Sequence, residues 1–189
     1  KKNYCYNEVL YKIHERIKNT ANKEKYKIVY EVPEMVFQVG CPYIDIINSI
    51  QKNIQLKGAA QSSYFAFQQA RVSAITKSID VTVAIRPGKN WCAALSDSGV
   101  CDCAIPNECT LDGVEYKVDF GDYRFVSIDK VTFGLDNVAV FDANRGLAIG
   151  HAGTVVFTDG EKQLKLILSN MGRVRICAVG GSLGGYDAC

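Results

Sequence analysis

The spacing of the apolar residues changes at Ser78. From about residue 43 to residue 77, apolar side chains such as Ile50 and Ile54 recur at steps of three and four, which predicts a long helix. Gly58 interrupts this pattern at a cost of about 1 kcal/mol relative to alanine, and leaves open whether there is one helix or two. The stretch "DVTVAIR" (80–86) instead alternates, which predicts a strand. We therefore expect an α+β chain whose β region covers residues 79–189.

The β region consists of short apolar stretches separated by turn residues. Val81, Val83 and Ile85 of the first strand are predicted to share one face. The sequences "NRG" (144–146) and "DG" (159–160) are hairpin signals. Further strands are predicted in "VEYKVDF", "RFVSIDKVTF", "NVAVFDANRGLAIG", "GTVVFTD" and "QLKLILSNMGRVRIC". Short strands with such turns are typical of antiparallel sheets.

Residues 1–42 differ in character from the remainder of the chain. An amphipathic helix is predicted at 6–19 and a strand at 26–32, and "GCP" (40–42) breaks the pattern. Residues 1–57 carry ten basic and six acidic side chains, whereas the remaining residues are slightly acidic. We therefore expect two parts: an N-terminal helix–strand segment of uncertain origin at 1–42, and a globular domain at 43–189.

Eight cysteines are present, four of them between residues 92 and 109. Their spacing, C-x8-C-x-C-x5-C, lacks the paired C-x2–4-C units of a zinc ribbon, so disulfides are favoured over zinc. Disulfides indicate an oxidising compartment. Six cysteines allow fifteen pairings, and the simplest is a Cys177–Cys189 bridge with two bridges inside 92–109. The cysteines predicted to form disulfides are Cys92, Cys101, Cys103, Cys109, Cys177 and Cys189.

Composition and motifs argue against several functional classes. The net charge of +2 is too small for a strongly basic nucleic-acid coat protein, and no run of about twenty apolar residues could span a membrane. Ser169, His151 and Asp142 supply the residue types of a hydrolytic triad, but no motif connects them. "GGSLGG" (180–185) lacks the strand–elbow–helix context of a nucleophile elbow. We predict no catalytic residue, no cofactor and no metal.

The most distinctive candidate site is the sequence "GRVR" (172–175). Residues two apart in a strand share a face, so Val174 and Ile176 are expected inside and Arg173 and Arg175 outside. Two guanidinium groups on one face can bind phosphate, and Lys162, Lys165 or Arg145 could extend the patch. The alternative is that both arginines are solvated or form ion pairs with a neighbouring strand.

Three stretches carry a family resemblance over roughly residues 50–189. They are "AFQQARVSAITKSIDVTVAI" (66–85), "VAVFDANRGLAIGHAGTVVFTD" (138–159) and "LILSNMGRVRIC" (166–177). In this order they resemble the GspH/FimT family of minor type IV pilins and minor type II secretion pseudopilins. The resemblance implies a pilin-like fold, with a long helix packed on antiparallel sheet.

The same resemblance implies a non-enzymatic filament subunit that primes or caps assembly. Its implied partners are other minor and major pilins or pseudopilins. Its implied location is the inner membrane and periplasm, then the pilus on the cell surface. In some FimT-type pilins the Gly-Arg-x-Arg ending binds DNA during DNA uptake, which implies a weak contact of Arg173, Arg175 and Lys165 with double-stranded DNA.

The N-terminal part departs from this family. The apolar anchoring segment of a pilin is not found in these residues, so a membrane contact is expected only through such a segment. "YEVPEMVFQVGCPYIDIINSI" (30–50) is similar to an uncharacterised helix–strand–helix module of large DNA viruses. A viral or chimeric structural protein is therefore a further hypothesis.

Overall fold

The computed structural model describes residues 42–133 and 138–189. In this part, the chain is an α+β protein with one helix and two antiparallel sheets. The elements are α1 (Pro42–Lys77), β1 (Val81–Arg86), β2 (Cys92–Ser96), β3 (Lys117–Asp119), β4 (Ser127–Val131), β5 (Val138–Phe141), β6 (Gly153–Thr158), β7 (Gln163–Leu168) and β8 (Val174–Val179). The helix and strand predicted at 6–19 and 26–32 lie outside the described residues. The chain divides into two compact units, residues 1–51 and residues 52–189.

The helix α1 continues through Gly58 as one element. Its buried side chains recur at three- and four-residue steps, as the helical period requires. They are Leu56, Ala59, Ala60, Ser63, Phe67, Ala70, Ser73 and Ala74. At the end of the helix, Ser78 adopts a positive φ of 53°, and the Ile79 amide donates to the Ala74 carbonyl at 3.3 Å. This left-handed C-terminal cap lets the chain turn directly into β1.

Each sheet has four strands. The order in the first is β3-β2-β1-β5 and in the second β4-β6-β7-β8. Helix side chains and side chains from both sheets form the main hydrophobic cluster. Phe67 of α1 lies at its centre, with ring centroids 5.7 Å from Phe133 and 6.3 Å from Phe141. Trp91 is fully buried and donates from Nε1 to the Val126 carbonyl at 2.8 Å.

The first sheet is buried on both faces. Val81, Val83 and Ile85 share the main cluster, as their alternation predicted. Ala84 on the opposite face is also buried, because it belongs to a second small cluster with Cys103, Cys109 and other residues of the disulfide-linked segment. A covering segment of this kind cannot be recognised from the alternation within one strand.

The six cysteines in the described ranges are all paired. The Cys177–Cys189 bridge is present as predicted. Inside 92–109 the bridges are Cys92–Cys103 and Cys101–Cys109, so the zinc alternative is wrong for these cysteines. The glycine-, proline- and asparagine-containing sequence from 90 to 113 favours a cross-linked loop, but the structure differs in part, since residues 92–96 form β2.

One of the two predicted hairpins, and one predicted strand, differ from the structure. The β6–β7 hairpin at 159–160 is confirmed. The hairpin at 144–146 is wrong, because β5 pairs with β1 whereas β6 pairs with β4 and β7. This turn therefore carries the chain from one sheet to the other. The stretch 163–177, predicted as one strand, forms two antiparallel strands, β7 and β8.

Candidate nucleic-acid interface

The β7–β8 hairpin places the predicted arginines on the outer face of the second sheet. Leu166 and Leu168 of β7 and Val174 of β8 are buried in the main cluster. Because side chains alternate along a strand, the residues between them point away from that cluster. Arg173, just before β8, and Arg175 within it are both exposed, which confirms the predicted orientation.

Lys165 lies on the same outer face. In the β7–β8 register, Lys165 is opposite Cys177 and Ile167 is opposite Arg175. Lys165 and Arg175 are therefore diagonal neighbours, with a typical spacing of roughly 7–8 Å. The structure thus brings the three predicted residues onto one surface.

Sequence reasoning missed a fourth cation, Lys130 of β4. Lys130 is opposite Val156, and Val156 is opposite Lys165, so all three share the outer face. Simple alternation would place Lys130 on the same face as the buried Ile128. A β-bulge between Ile128 and Lys130 shifts the register, and the two side chains therefore point to opposite faces. We call Lys130, Lys165, Arg173 and Arg175 the basic sheet face.

Ion pairs with other described residues do not neutralise the charges of the basic sheet face. The ion pairs found in residues 42–133 and 138–189 are Lys52–Glu161, Lys77–Asp112, Arg86–Asp102 and Lys117–Asp119. None of them includes a member of the face. The carboxylate next to Lys130 in sequence, Asp129, accepts a 3.5 Å hydrogen bond from Gln163 Nε2. The predicted alternative of ion pairing with a neighbouring strand is therefore not seen among the described residues.

Two other proposed members of the patch lie elsewhere. Lys162 Nζ donates to Asn53 Oδ1 of α1 at 3.1 Å, so its ammonium group is bound to the helix. Arg145 lies in the turn between β5 and β6, where it lines a separate cavity. Both residues lie in turns rather than at the outer-face strand positions that Lys130, Lys165 and Arg175 occupy.

The C-terminal tail folds back on itself and on the edge of the second sheet. Leu183 and Tyr186 exchange two backbone hydrogen bonds of 3.0 and 3.1 Å, and the tail pairs with Ala178 through two more. Lys57 Nζ of α1 donates to the Gly184 carbonyl at 3.0 Å. Tyr186 packs against the main cluster and is only partly exposed.

A separate cavity of about 550 Å³ lies beside β5. Its polar lining includes Asp80, Asp142, Arg145 and His151. The Arg145 amide, together with the Leu147 and Asn144 amides, donates to the Asp142 carboxylate and holds its pKa below the ordinary value of 3.8, against an opposing desolvation. These three hydrogen bonds to Asp142 hold the turn between β5 and β6 in its conformation.

The triad considered from the sequence is not assembled. Among the described residues, no hydrogen bond joins Ser169, His151 and Asp142. Ser169 Oγ instead accepts from the Arg173 amide at 3.2 Å. The buried His151 Nδ1 has no hydrogen-bond partner in the part of the chain that the structure describes.

Comparison with known proteins gives one family match. Residues 1–62 match a family of unknown function (DUF5759), which is about a third of the chain. The match ends within α1, before β1 and the other strands of the described residues. No curated protein and no solved structure matches the chain significantly. Within the described part of the chain, α1 lacks the sustained hydrophobicity that a membrane-spanning helix requires.

Proposed function

We propose that this chain is a minor pilin or pseudopilin, a structural subunit that primes or caps a type IV pilus or type II secretion filament. In this proposal the fold is pilin-like, and the subunit acts through protein–protein contacts rather than catalysis. The sequence resemblance over residues 50–189 supports it. The structural observation that carries it is a second apolar face on α1, outside the core.

This second face is a stripe of large apolar side chains. Ile54, Phe65, Val72 and Ile75 remain between 43 and 64% exposed. Their spacing places them within one sector of the helix, roughly opposite the side that Phe67 and its buried neighbours occupy. At 1.5 Å per residue the stripe extends for about 30 Å. We call these four residues the helix stripe.

Large apolar side chains exposed along one side of a helix favour an interaction surface there. Each of its side chains would gain roughly 1 kcal/mol from burial of its remaining exposed area. The summed gain helps offset the loss of translational and rotational freedom on association. A neighbouring apolar helix fits the straight, narrow shape of the stripe.

The proposal can be tested by site-specific photo-crosslinking in the cells that make this protein. A photoreactive phenylalanine analogue replaces Phe65 of the helix stripe, and a control carries it at Phe125, which is similarly exposed in the loop before β4. We expect crosslinks to pilin-type proteins, identified by mass spectrometry, from position 65 only. Equal yields from both positions would contradict the proposal. Crosslinks to capsid proteins would favour the viral or chimeric alternative.

A second candidate function is weak binding of double-stranded DNA by the basic sheet face. The observation that favours it is the placement of four cations on one face without ion-pair partners in the described residues. The affinity of such a surface depends on the number of phosphates it neutralises. Four contacts would give a slope of about −3.6 in a plot of log K against log salt concentration.

Fluorescence anisotropy with a labelled duplex tests this function. Replacing Arg173 and Arg175 with glutamine should weaken binding at low salt and reduce the slope by about 2. A charge-matched control replaces the exposed Lys89 and Arg124 with glutamine, and its binding should stay close to that of the wild type. Unchanged binding by the Arg173→Gln, Arg175→Gln variant at low salt would eliminate this function.

A further inference from the structure

Opposite charges are segregated along the described chain. Residues 97–115 contain five carboxylates and no lysine or arginine, whereas residues 162–175 contain four cations and no carboxylate. The second segment supplies three members of the basic sheet face. We call residues 97–115 the acidic loop. Its carboxylates are those of Asp97, Asp102, Glu108, Asp112 and Glu115.

The acidic loop also exposes apolar side chains. Val100, Ile105 and Val114 are each more than half exposed. Apolar groups surrounded by charged ones are typical of a protein–protein interaction surface. On the basic sheet face, the partly buried Ile167 lies directly opposite Arg175. It offers an apolar contact for the exposed apolar side chains of the acidic loop.

The loop is held in one conformation. The Cys101–Cys109 disulfide closes it internally, the Cys92–Cys103 disulfide ties it to β2, and the Asn107 amide donates to Glu115 Oε1 at 3.3 Å. This bond joins the turn after Ile105 to the segment that follows Val114. A surface fixed before binding loses less conformational entropy in a complex.

The loop remains negative after its internal pairing. Arg86 pairs with Asp102 at 3.5 Å and Lys77 pairs with Asp112. Asp97, Glu108 and Glu115 form no ion pair with the residues that the structure describes. An uncompensated charge of about −3 therefore accompanies the exposed apolar groups, and it is opposite in sign to the basic sheet face.

We propose that the acidic loop of one copy of this chain binds the basic sheet face of a second copy. The two surfaces differ, so the contact is heterologous and each bound copy still offers one free surface of each kind. Such a contact leads to rings or to open linear assemblies. It does not use the helix stripe, so it and the filament function proposed above can fail independently. It does compete with duplex DNA for the same cations.

Sedimentation velocity of the full chain tests the contact at two salt concentrations, about 50 and 500 mM, between which charge screening differs strongly. We expect self-association at low salt that weakens at high salt. The face-reversed variant carries Arg173→Glu and Arg175→Glu. The loop-reversed variant carries Glu108→Lys and Glu115→Lys. Each alone should self-associate at least about tenfold more weakly than the wild type.

Mixing the two variants is the decisive step. The intact loop of the first variant then meets the intact face of the second, and the two reversed surfaces are also complementary. We expect association to return on mixing, and to persist in a control with Lys89→Glu and Arg124→Glu. Ile105→Ser, which leaves every charge in place, should weaken association about tenfold even if a reversed variant fails to fold.

Three results would overturn the proposal. The first is a wild-type chain that remains monomeric at low salt up to about 1 mM. The second is a mixture of folded variants that stays monomeric. The third is self-association of the wild type that neither the reversed variants nor Ile105→Ser weakens. Loss of photo-crosslinking from Phe65 would not bear on it, because that residue belongs to the helix stripe.

Discussion

Replacing Gly58 with alanine should destabilise this protein, although alanine is the better helix former. Gly58 lies inside α1, where the ring of Tyr123 approaches closely. A Cβ atom at this position would be 2.7 Å from Tyr123 Cε1. The ring cannot move freely, because it stacks on Trp91 with centroids 6.3 Å apart and its hydroxyl is hydrogen-bonded to Ser62 at 2.7 Å.

The magnitude follows from three terms. Alanine in place of glycine gains about 1 kcal/mol of helix propensity. Forcing a methyl group against a packed ring costs roughly 1–3 kcal/mol, and displacing the ring endangers a hydrogen bond worth about 1 kcal/mol. We therefore expect Gly58→Ala to lower the free energy of unfolding by about 1–3 kcal/mol.

The sign should reverse when the ring is removed. In a Tyr123→Ala background the methyl group has no ring to meet, so Gly58→Ala should stabilise by about 1 kcal/mol. The coupling between the two substitutions is then about 2–4 kcal/mol, which a double-mutant cycle measures. Urea unfolding followed by far-ultraviolet circular dichroism gives the four free energies. Trp91, the single tryptophan of the chain, provides an independent fluorescence probe.

Two results would refute this reasoning. One is a stabilising Gly58→Ala substitution in the wild-type background, which would mean that the ring moves aside without cost. The other is an equal loss in both backgrounds, which would mean that the cost does not come from Tyr123.

Three further predictions concern the loops. Replacing Cys177 and Cys189 with serine should lower the free energy of unfolding by roughly 2–3 kcal/mol, measured by urea unfolding under oxidising conditions. The pKa of Asp142 is lower in the folded state than in the unfolded state, so the ionised carboxylate stabilises the fold. This stabilisation is complete at pH values above the unfolded-state pKa, and it is lost as the pH falls through the folded-state pKa. The stability advantage of the wild type over Asp142→Asn should therefore be constant above about pH 5 and shrink towards lower pH, which urea unfolding across the acid range checks. Gly172→Ala should cost at least about 2 kcal/mol in thermal unfolding, because its Cβ would overlap a carbonyl oxygen of the neighbouring turn. Gly113→Ala, at nearly the same φ but with open space around it, should cost only about 1 kcal/mol.

Local periodicity was sufficient for the parts of the fold that depend on neighbours in sequence. The three- and four-residue steps placed α1 correctly up to Lys77, because they follow the helical period. The side chains that showed this pattern, such as Ile50 and Ile54, are however exposed, and the buried side consists of Leu56, Phe67 and mostly small residues. Alternation placed Val174 inside and Arg175 outside, because strand side chains point to opposite faces. The Cys177–Cys189 bridge was also predictable, since the two cysteines bracket a short glycine-rich tail.

Features that depend on distant contacts were not predictable. Lys130 joins the basic sheet face only because a bulge shifts the β4–β6 register, and alternation alone gives the opposite orientation. The turn after β5 looked like a hairpin, but strand pairing across the chain decides that it connects two sheets. Gly58 was recognised as an interruption, yet its packing partner, Tyr123, lies far away in sequence. The exposure of Val100, Ile105 and Val114 beside the carboxylates of the acidic loop was also not predictable, because this segment has no regular period.

The C-terminal tail has a consequence for solubility. β8 is an edge strand of its sheet, and exposed edge strands can pair with other chains and start aggregation. The tail uses both backbone groups of Ala178, which donates to the Asp187 carbonyl at 2.8 Å and accepts from the Cys189 amide at 2.9 Å. The Cys177–Cys189 disulfide holds this short added strand in place. The last residues of the chain thus shield one end of the β8 edge, and the charge of Arg175 discourages strand pairing along the remainder.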